Sequence, residues 1–371
     1  MRYFIGPYLS VFIAYATDPK TRYHSASGGV ATALLRYFLE KKYVDAVVVP
    51  RSRFKQGFVY GVRTIVKDPS KLLEFSDSLY APVYGLPRAL TYALSKFKRI
   101  AVTALPCHAK AIRKISGSLG RSEDIFILGL YCLYTPSLWA SKYALKYFGI
   151  HVEEVEFVKF RGYGWPGYTV IKTRKGSMRI PSSRFWGSGF GQYFHGPGCA
   201  LCIDQTNVSS DISLSDPWTL PHECVKRLGG ATLVVVRSRK GLEVIRDAAR
   251  SGYISAVEID PVYTIQYTTL LKLSKRVLGR NADTHVLPPS FTTIAHEVAY
   301  RLGHLLASRE KLWPILKIYH SIASFAYRIA SFLDYKLGTT WARVNRYIKL
   351  IQRMKLPKEG LFTELRSKQG C

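Results

Sequence analysis

The sequence predicts an α/β protein in which mixed sheets are flanked by helices and followed by a helical C-terminal extension. Three short apolar runs rich in β-branched residues are typical of strands: Asp45 to Pro50, Arg99 to Ala104 and Ile125 to Leu130. Segments with helical periodicity separate them, and continuous apolar runs of this kind suit strands covered on both faces. From about Phe291 onward, apolar residues recur at intervals of three and four, with bases between them.

The first part of the chain, residues 1–150, is predicted to be an α/β unit. Between Tyr23 and Tyr43, two serines and two glycines precede an apolar pattern of helical spacing, so this stretch is expected to be a loop that opens a helix. The second and third strand-like runs are each followed closely by a cysteine, Cys107 and Cys132. Because loops at the ends of parallel strands gather at one edge of a sheet, the two cysteines are expected to lie near each other.

The second part, residues 151–290, is predicted to complete the same core. Between Val155 and Pro181 the pattern indicates a strand, a Gly/Trp/Pro loop and a hairpin that turns at Lys175-Gly176. A glycine-rich stretch from Gly187 to Gly198 leads into a C-x-x-C pair. A strand-like ATLVVVRS and a helix-like KGLEVIRDAARSGYI follow, so a strand–turn–helix unit is expected to close this part.

The third part, residues 291–371, is predicted to be a basic amphipathic helical extension. Such a stripe can cover a core, dock on a partner subunit or lie on anionic lipid. Covering a core or docking on a partner is the favoured interpretation.

Charge is the unusual bulk property, with 54 Lys and Arg against 25 Asp and Glu and a net charge of +29. Such a field attracts nucleic acid, an anionic lipid surface, an acidic electron-transfer protein or a polyanionic cofactor. Nucleic acid is disfavoured, because no zinc-finger, ribonucleoprotein or helix-turn-helix pattern is present. Neither a membrane span nor a secretory signal is indicated, so a cytoplasmic location is expected, with peripheral binding to the inner face of the membrane left open.

Six cysteines are present, and in a reducing compartment they indicate metal binding rather than disulfides. Cys199 and Cys202 form a C-x-x-C turn, which commonly supplies two of the four thiolates of a [4Fe-4S] cluster. Cys107 and Cys132 are candidates for the other two, with Cys224 in reserve. From spacing alone, zinc binding, a redox dithiol and ordinary buried cysteines remain open alternatives.

The SASGG segment offers free backbone N–H groups and two hydroxyls at the start of a helix, which suits a phosphate. It matches neither a P-loop nor a dinucleotide fingerprint. An N-cap serine with closely packed glycines explains the same residues.

Seven segments resemble, in order and spacing, the coenzyme F420 hydrogenase/dehydrogenase beta-subunit family. They are HSASGGVATALL, FSDSLYAPV, LPCHAKAIRKI, GLYC, VKFRG, CALCIDQTNVSSDISLSDPW and GATLVVVRSRKGLEVI. The resemblance runs from about Pro7 to Arg280 and implies an α/β iron–sulfur flavoprotein that carries FAD and one [4Fe-4S] cluster. It implies that residues 151–290 contain the cluster-binding loop.

The same resemblance implies site residues but assigns no catalytic side chain. The implied cluster ligands are Cys107, Cys132, Cys199 and Cys202. The residues implied at the flavin are Ser25, Ser27, Gly28, Gly29, Ser78, Tyr80, Thr103, Pro106, Arg161 and Gly162. Arg161 would offer a planar fork to phosphate or reduced flavin. Asp211 and Asp216 match an acidic stretch that either packs and orients backbone N–H groups or makes direct contact.

Four positions depart from the family's usual pattern. Asp77 stands in place of a glycine, Leu79 in place of a lysine, His108 in place of a glutamine and Ser215 in place of a glycine. The missing lysine leaves the identity of the hydride donor open.

By this resemblance, reduced coenzyme F420 would pass hydride to FAD, and single electrons would reach a redox partner subunit or a ferredoxin-like protein through the cluster. Two alternatives remain at this stage. One is a ferredoxin-dependent flavin and iron–sulfur reductase of an organic double bond. The other is a non-catalytic basic protein that docks on a membrane or nucleic acid.

Overall fold

A nine-stranded mixed sheet forms the centre of the protein, and a separate three-stranded sheet lies beside it. The computed structural model describes residues 1–266 and 301–337, with the single positions 269, 298 and 350. The strands are Ser10–Ala16 (β1), Ala46–Lys55 (β2), Phe58–Val66 (β3), Val83–Tyr84 (β4), Ile100–Ala104 (β5), Ile125–Leu130 (β6), Val155–Lys159 (β7), Tyr168–Thr173 (β8), Gly176–Pro181 (β9), Ile212–Ser215 (β10), Thr232–Val236 (β11) and Ile254–Glu258 (β12).

Helices cover the large sheet and pack against the small one. They are Arg2–Ile5 (α1), Pro19–His24 (α2), Val30–Glu40 (α3), Leu86–Lys96 (α4), Pro106–Ser118 (α5), Leu138–Tyr147 (α6), Ser182–Trp186 (α7), Phe190–Tyr193 (α8), Pro197–Leu201 (α9), His222–Arg227 (α10), Arg239–Arg250 (α11) and Trp313–Leu337 (α12). Short 3₁₀ turns occupy Pro69–Phe75, Ser122–Asp124, Val152–Glu154, Pro261–Thr264 and Glu310–Leu312. Residues 301–307 are also helical.

The strand order of the large sheet is β12-β1-β11-β10-β6-β5-β2-β3-β4. Its centre is parallel, since β2 pairs with β5, β5 with β6 and β6 with β10 in that sense. The flanking pairs β2 with β3, β10 with β11 and β1 with both β11 and β12 are antiparallel. The predicted mixed α/β architecture is therefore confirmed, with parallel central strands whose carboxyl ends share one edge.

Both faces of the central strands are buried, as their continuous apolar runs predict. In β2, Val47 and Val49 pack into a core shared with α3 and α11, while Ala46 and Val48 pack into a second core shared with α4 and α5. Burying both faces of Val-rich strands stabilises the fold by roughly 25 cal/mol for each Å² of apolar surface removed from water. The observed β2 is longer than the predicted run, because an antiparallel register with β3 continues to the pair Lys55 and Phe58.

The three-stranded sheet contains β7, β8 and β9, and the predicted hairpin forms where Thr173 pairs with Gly176. Its apolar face packs against α6, α7, α8 and the start of α12. Strands from residues 1–150 and from residues 151–290 pair in the large sheet, and the domain boundaries stay a prediction. Most of the extension predicted for residues 291–371 lies outside the described residues. No described helix combines the length and the apolar character needed to span a bilayer.

Candidate cofactor site

Two of the four candidate cysteines lie at the carboxyl edge of the parallel strands. Cys107 lies in the first turn of α5, just after β5, and Cys132 lies two residues after the end of β6. Since β5 and β6 are parallel neighbours with Ala104 paired to Gly129, the two loops leave the sheet side by side. The structure thus brings these two cysteines to the edge that the sequence predicts.

Main-chain hydrogen bonds attach the C-x-x-C segment to the same edge. The N–H of Cys132 donates to the carbonyl of Gln205 at 2.9 Å. The N–H of Thr135 lies 3.4 Å from Cys199 Sγ, and Cys202 Sγ lies 3.4 Å from the carbonyl oxygen of Asp204. The loop after β6 and the loop that carries Cys199 and Cys202 are therefore in direct contact.

The thiols influence one another electrostatically. Burial raises the pKa of the Cys107 thiol, and the nearby sulfurs of Cys202 and Cys199 raise it further. Cys107 is nevertheless exposed as a residue, whereas the other three are half-buried. Over residues 1–266 and 301–337, no three Cys, His, Asp or Glu side chains stand in a geometry ready to hold a metal ion.

Asn207 joins the two cysteine loops. Its side-chain amide donates to the carbonyl of Ala104 at 2.8 Å and to that of Leu130 at 3.2 Å, the last residues of β5 and β6. It is fully buried and adopts a left-handed φ of 61°, a conformation that asparagine tolerates better than most residues. Asp204 caps this turn by accepting from the N–H of Asn207 at 2.9 Å and from that of Val208 at 3.1 Å.

Asp211 fixes the neighbouring part of the sheet rather than pointing to a ligand. It is 1% exposed, and Oδ2 accepts from the N–H of Ile127 at 2.8 Å and from Arg113 at 2.7 Å, while Oδ1 accepts from Ser238 at 2.9 Å. Orienting a backbone N–H group, one of the two roles expected for this residue, is seen in its bond with Ile127.

The SASGG loop packs tightly against the start of β11. A Cβ on Gly28 would lie 2.7 Å from the carbonyl carbon of Ala231, and the N–H of Gly28 donates to Thr232 Oγ1 at 3.0 Å. The Ser25 hydroxyl donates to the carbonyl of Thr21, and the Ser27 hydroxyl to that of Ala231. Both serine hydroxyls are thus used within the protein.

Gly29 begins α3 and Gly162 lies against the same loop. Gly29 has a φ of +76°, which favours glycine. A Cβ on Gly162 would lie 2.7 Å from the carbonyl oxygen of His24, next to Ser25. The glycine loop and the Arg161-Gly162 segment, far apart in sequence, therefore meet.

Arg161 is buried and its guanidinium faces Asp216. Nη1 and Nη2 contact the two carboxylate oxygens of Asp216 at 2.5 and 3.2 Å, and Nη1 lies 3.4 Å from the hydroxyl of Tyr80. The carboxylate of Asp216 and the Tyr80 hydroxyl raise the pKa of Arg161 against the opposing effect of burial. Ser78 hydrogen-bonds Tyr80, and the ring of Trp186 meets that of Tyr80 edge-on at 4.5 Å.

Asp77 and Lys159 lie near Arg161 and influence each other electrostatically. Burial raises the pKa of Asp77 to about 6, against the opposing charge of Lys159. Burial in turn lowers the pKa of Lys159. Asp77 Oδ1 accepts from the N–H of Arg161 at 3.4 Å, whereas the buried Oδ2 has no hydrogen-bond partner in the part of the chain that the structure describes.

Tyr134 connects the cysteine loops with the Arg161 region. Its ring stacks on His195 with centroids 4.8 Å apart. Burial raises the pKa of Tyr134, and the proximity of Tyr80 and Cys132 raises it further. One aromatic side chain therefore neighbours both a candidate cluster ligand and a candidate flavin residue.

Thr103 and Pro106 lie beside Cys107, at the end of β5. The carbonyl of Thr103 accepts from Arg63 Nη1 at 2.6 Å, and Arg63 Nη2 lies 3.2 Å from His108 Nδ1. Pro106 is the buried first residue of α5. Cys224 lies elsewhere, buried at 2% exposure among apolar residues of β1, β11 and α10.

Sequence reasoning missed three residues that shape this site: Asn207, Asp77 and Arg63. Asn207 lies within the quoted CALCIDQTNVSSDISLSDPW segment, but no sequence signal distinguishes an asparagine that bridges two strands from an ordinary loop residue. In the sequence, nothing distinguishes Arg63 from the other 53 lysine and arginine residues. Asp77 differs from the glycine that the family has at this position, but that difference alone gives no indication of a role.

Comparison with known proteins identifies the family. A family model described as coenzyme F420 hydrogenase/dehydrogenase, beta subunit N-term, matches residues 11–90, and the corresponding C-terminus model matches residues 97–262. The two matches cover about two thirds of the chain. The chain belongs to this family. Hydrogenases and dehydrogenases are oxidoreductases, so this beta-subunit family places the chain among oxidoreductase subunits.

Two relatives named as beta subunits illustrate the range of sequence identity and coverage. The F420-dependent formate dehydrogenase subunit beta of Methanocaldococcus jannaschii is 27% identical over 249 residues, which are 64% of this chain and 59% of that protein. The coenzyme F420 hydrogenase subunit beta of Methanosarcina barkeri is 23% identical over 293 residues, 76% of this chain and 92% of the relative. This chain thus spans less than two thirds of the length of the formate dehydrogenase subunit.

The fold agrees with that of a solved structure. A chain of the F420-reducing [NiFe] hydrogenase complex from Methanosarcina barkeri superimposes with a TM-score of 0.56 at 19% identity, covering 74% of this chain and 92% of that chain. At this identity the similarity concerns the fold.

Proposed function

We propose that this beta-subunit family member exchanges a hydride with coenzyme F420 through FAD and single electrons with a partner subunit through one [4Fe-4S] cluster. The observation that carries the proposal is the meeting of three cysteine-bearing segments at one edge of the sheet. Cys107 follows β5, Cys132 follows β6, and the Cys199 segment is hydrogen-bonded to the loop after β6.

The donor set suits an iron–sulfur cluster. Cys107, Cys132 and the segment from Cys199 to Cys202 supply four thiols near this edge, and cluster sulfurs commonly accept hydrogen bonds from main-chain N–H groups such as that of Thr135 to Cys199. Cys107 is close enough to Cys199 and Cys202 for their charges to disfavour its own ionisation. Bound iron would remove that repulsion.

The residues beside this edge suit a flavin. Gly28 and Gly29 carry no side chain just before α3, where the backbone can approach a phosphate closely. Arg161, held by Asp216, places a fixed positive charge next to Tyr80 and Ser78. A bound flavin would supply two-electron exchange with a hydride carrier and one-electron exchange with a cluster. Tyr134, which is near both Tyr80 and Cys132, would neighbour the flavin and the cluster.

The charge of the protein suits coenzyme F420 as the two-electron substrate. That coenzyme bears a phosphate and a glutamate tail, and a protein of net charge +29 steers anions toward its surface. The family's description supports the same substrate.

The test is anaerobic purification of the full chain, followed by cofactor extraction and reduction by two donors. We expect FAD, iron and inorganic sulfide, with bleaching of the visible spectrum by reduced coenzyme F420 in the absence of ferredoxin. Reduction by ferredoxin and not by coenzyme F420 would favour the organic-substrate reductase. A colourless protein that contains zinc or no metal would contradict the proposal.

We further propose that a partner subunit covers the outer face of α12. Six large apolar side chains recur at intervals of three and four along this helix and remain 36–65% exposed: Ile315, Ile318, Ile322, Phe325, Ile329 and Leu333. The opposite face is occupied, because Trp313 and Leu316 are buried in the core of the small sheet and His320 Nδ1 lies 2.9 Å from the hydroxyl of Tyr193.

A partner subunit is the favoured occupant because relatives of this chain are named as subunits, and one structural neighbour belongs to a complex. Exposed apolar stripes of this length generally mark interaction sites. Replacing Ile318 and Ile322 together by serine should leave the purified chain folded, since both are more than 60% exposed, and should release it from co-purifying subunits. Loss of binding to anionic vesicles, with subunit association intact, would instead assign the stripe to a membrane surface.

A further inference from the structure

A buried arginine, Arg63, lies beside the proposed cluster without a carboxylate partner among the described residues. Arg63, in the middle of β3, is 8% exposed. Nη1 donates to the carbonyl of Thr103 at 2.6 Å and Nη2 to His108 Nδ1 at 3.2 Å. The remaining donor, Nε, is buried without a hydrogen-bond partner among the described residues.

This guanidinium is a fixed positive charge. Burial lowers the pKa of Arg63 to about 10, which leaves it protonated at neutral pH. Among the described residues, the thiol of Cys107 acts on Arg63 electrostatically and no carboxylate does. The buried guanidinium of Arg161, by contrast, is paired with the carboxylate of Asp216.

Burying an unpaired charge costs several kcal/mol, so such groups are normally paired or next to a metal centre. A [4Fe-4S] cluster held by four thiolates is negatively charged in both oxidation states, and its reduced form carries one more negative charge. Arg63 contacts Thr103 and His108, the residues on either side of the segment from Ala104 to Cys107. The negative charge of a cluster bound by Cys107 would therefore face the guanidinium.

Resting on the proposed function, we infer that Arg63 is the counter-charge of the cluster and favours its reduced form, so that this positioning residue raises the cluster's reduction potential. Arg63 lies outside the set of proposed cluster ligands and outside the proposed flavin residues. The expected effect on the reduction potential is electrostatic, because a nearby positive charge stabilises the more negative oxidation state of the cluster.

The experiment is a redox titration of the anaerobically purified full chain, followed by electron paramagnetic resonance of the reduced cluster. Arg63→Met removes the charge but keeps much of the volume, and Arg63→Gln removes it but keeps a donor for the Thr103 carbonyl. Both should lower the ratio of reduced to oxidised cluster at least tenfold at a fixed potential, a shift of about 59 mV for a one-electron couple. Arg63→Lys should remain near the wild-type midpoint.

Arg36→Met, which removes a surface charge that pairs with Glu40 on α3, is the matched control and should leave the midpoint unchanged. Iron content distinguishes a failure of the role of Arg63 from a failure of the proposed function. A neutral variant with full iron content and a wild-type midpoint would overturn the role of Arg63 while leaving the proposed function intact. A wild-type chain that binds no iron would overturn both.

Discussion

The side-chain amide of Asn207 donates to the carbonyl of Ala104 at 2.8 Å, and so links the C-x-x-C segment to the end of β5. The same amide reaches Leu130 at the end of β6. One buried side chain thus sets the relative position of all three cysteine-bearing segments. Its neighbours Cys107 and Cys132 follow these two carbonyls by three and two residues.

Asn207→Gly should weaken both folding and iron retention. Glycine keeps the left-handed backbone but leaves two buried carbonyls without a donor, which costs about 1–3 kcal/mol in unfolding free energy. Asn207→Ala should cost about 1–2 kcal/mol more, because alanine is strained at a φ of 61°. Chemical denaturation and iron content measure the two effects. Equal stability of the alanine and wild-type proteins would contradict this role.

Gly28→Ala should destabilise the glycine loop and reduce flavin content. The new methyl would lie 2.7 Å from the backbone of Ala231, and overpacking of this kind costs about 1–3 kcal/mol. Gly117→Ala is the matched control, since its Cβ would meet nothing closer than 3.9 Å near the end of α5. Thermal unfolding and FAD extraction are the measurements. Unchanged flavin binding in a destabilised Gly28 variant would assign the loop a packing role only.

The pH dependence of stability should reveal the buried carboxyl of Asp77. Its pKa rises from 3.8 to about 6 on folding, so the folded protein holds a proton that the unfolded chain releases, and this contribution is lost as pH rises from about 4 to 6. Asparagine cannot ionise. The advantage of Asp77→Asn over the wild type in unfolding free energy should therefore grow by about 3 kcal/mol across that window.

Asp68→Asn serves as the control for this titration. The pKa of Asp68 is lowered, chiefly by its hydrogen bond from Ser70, so its variant should show no growing advantage between pH 4 and 6. A constant difference between Asp77→Asn and the wild type would mean that Asp77 ionises normally.

The Arg161–Asp216 pair should behave as one unit. Arg161→Met or Asp216→Asn leaves a buried charge without its partner, which costs about 3–5 kcal/mol. The double variant removes both charges and should cost clearly less than the sum of the two single variants. Urea denaturation of the four proteins measures the coupling. Strictly additive losses would show that each residue acts independently.

The central strands and the converging loops could be predicted from the sequence, because continuous Val- and Ile-rich runs between helical patterns have few alternatives to a buried parallel sheet. Ile125 to Leu130 matched an observed strand in full. The longer β2 could not be foreseen, because its second half, Arg51 to Lys55, alternates charged and apolar residues and is specified by pairing with β3.

The candidate site was only partly accessible to sequence reasoning. Cysteine spacing pointed to the ligands, because thiols in a C-x-x-C turn carry a strong chemical signal. The partnership of Arg161 with Asp216, and the isolation of Arg63, depend on contacts between residues 40 or more positions apart. Polar residues of such ordinary types give no sign of a partner that distant.

The most direct test of the four-cysteine cluster is iron counting on anaerobically prepared wild type and five single Cys→Ser variants. We expect about four iron atoms per chain in the wild type, with loss of the cluster signal on replacing Cys107, Cys132, Cys199 or Cys202, and retention on replacing Cys224. Full iron content in the Cys107 or Cys132 variant, or zinc in place of iron in the wild type, would contradict the account.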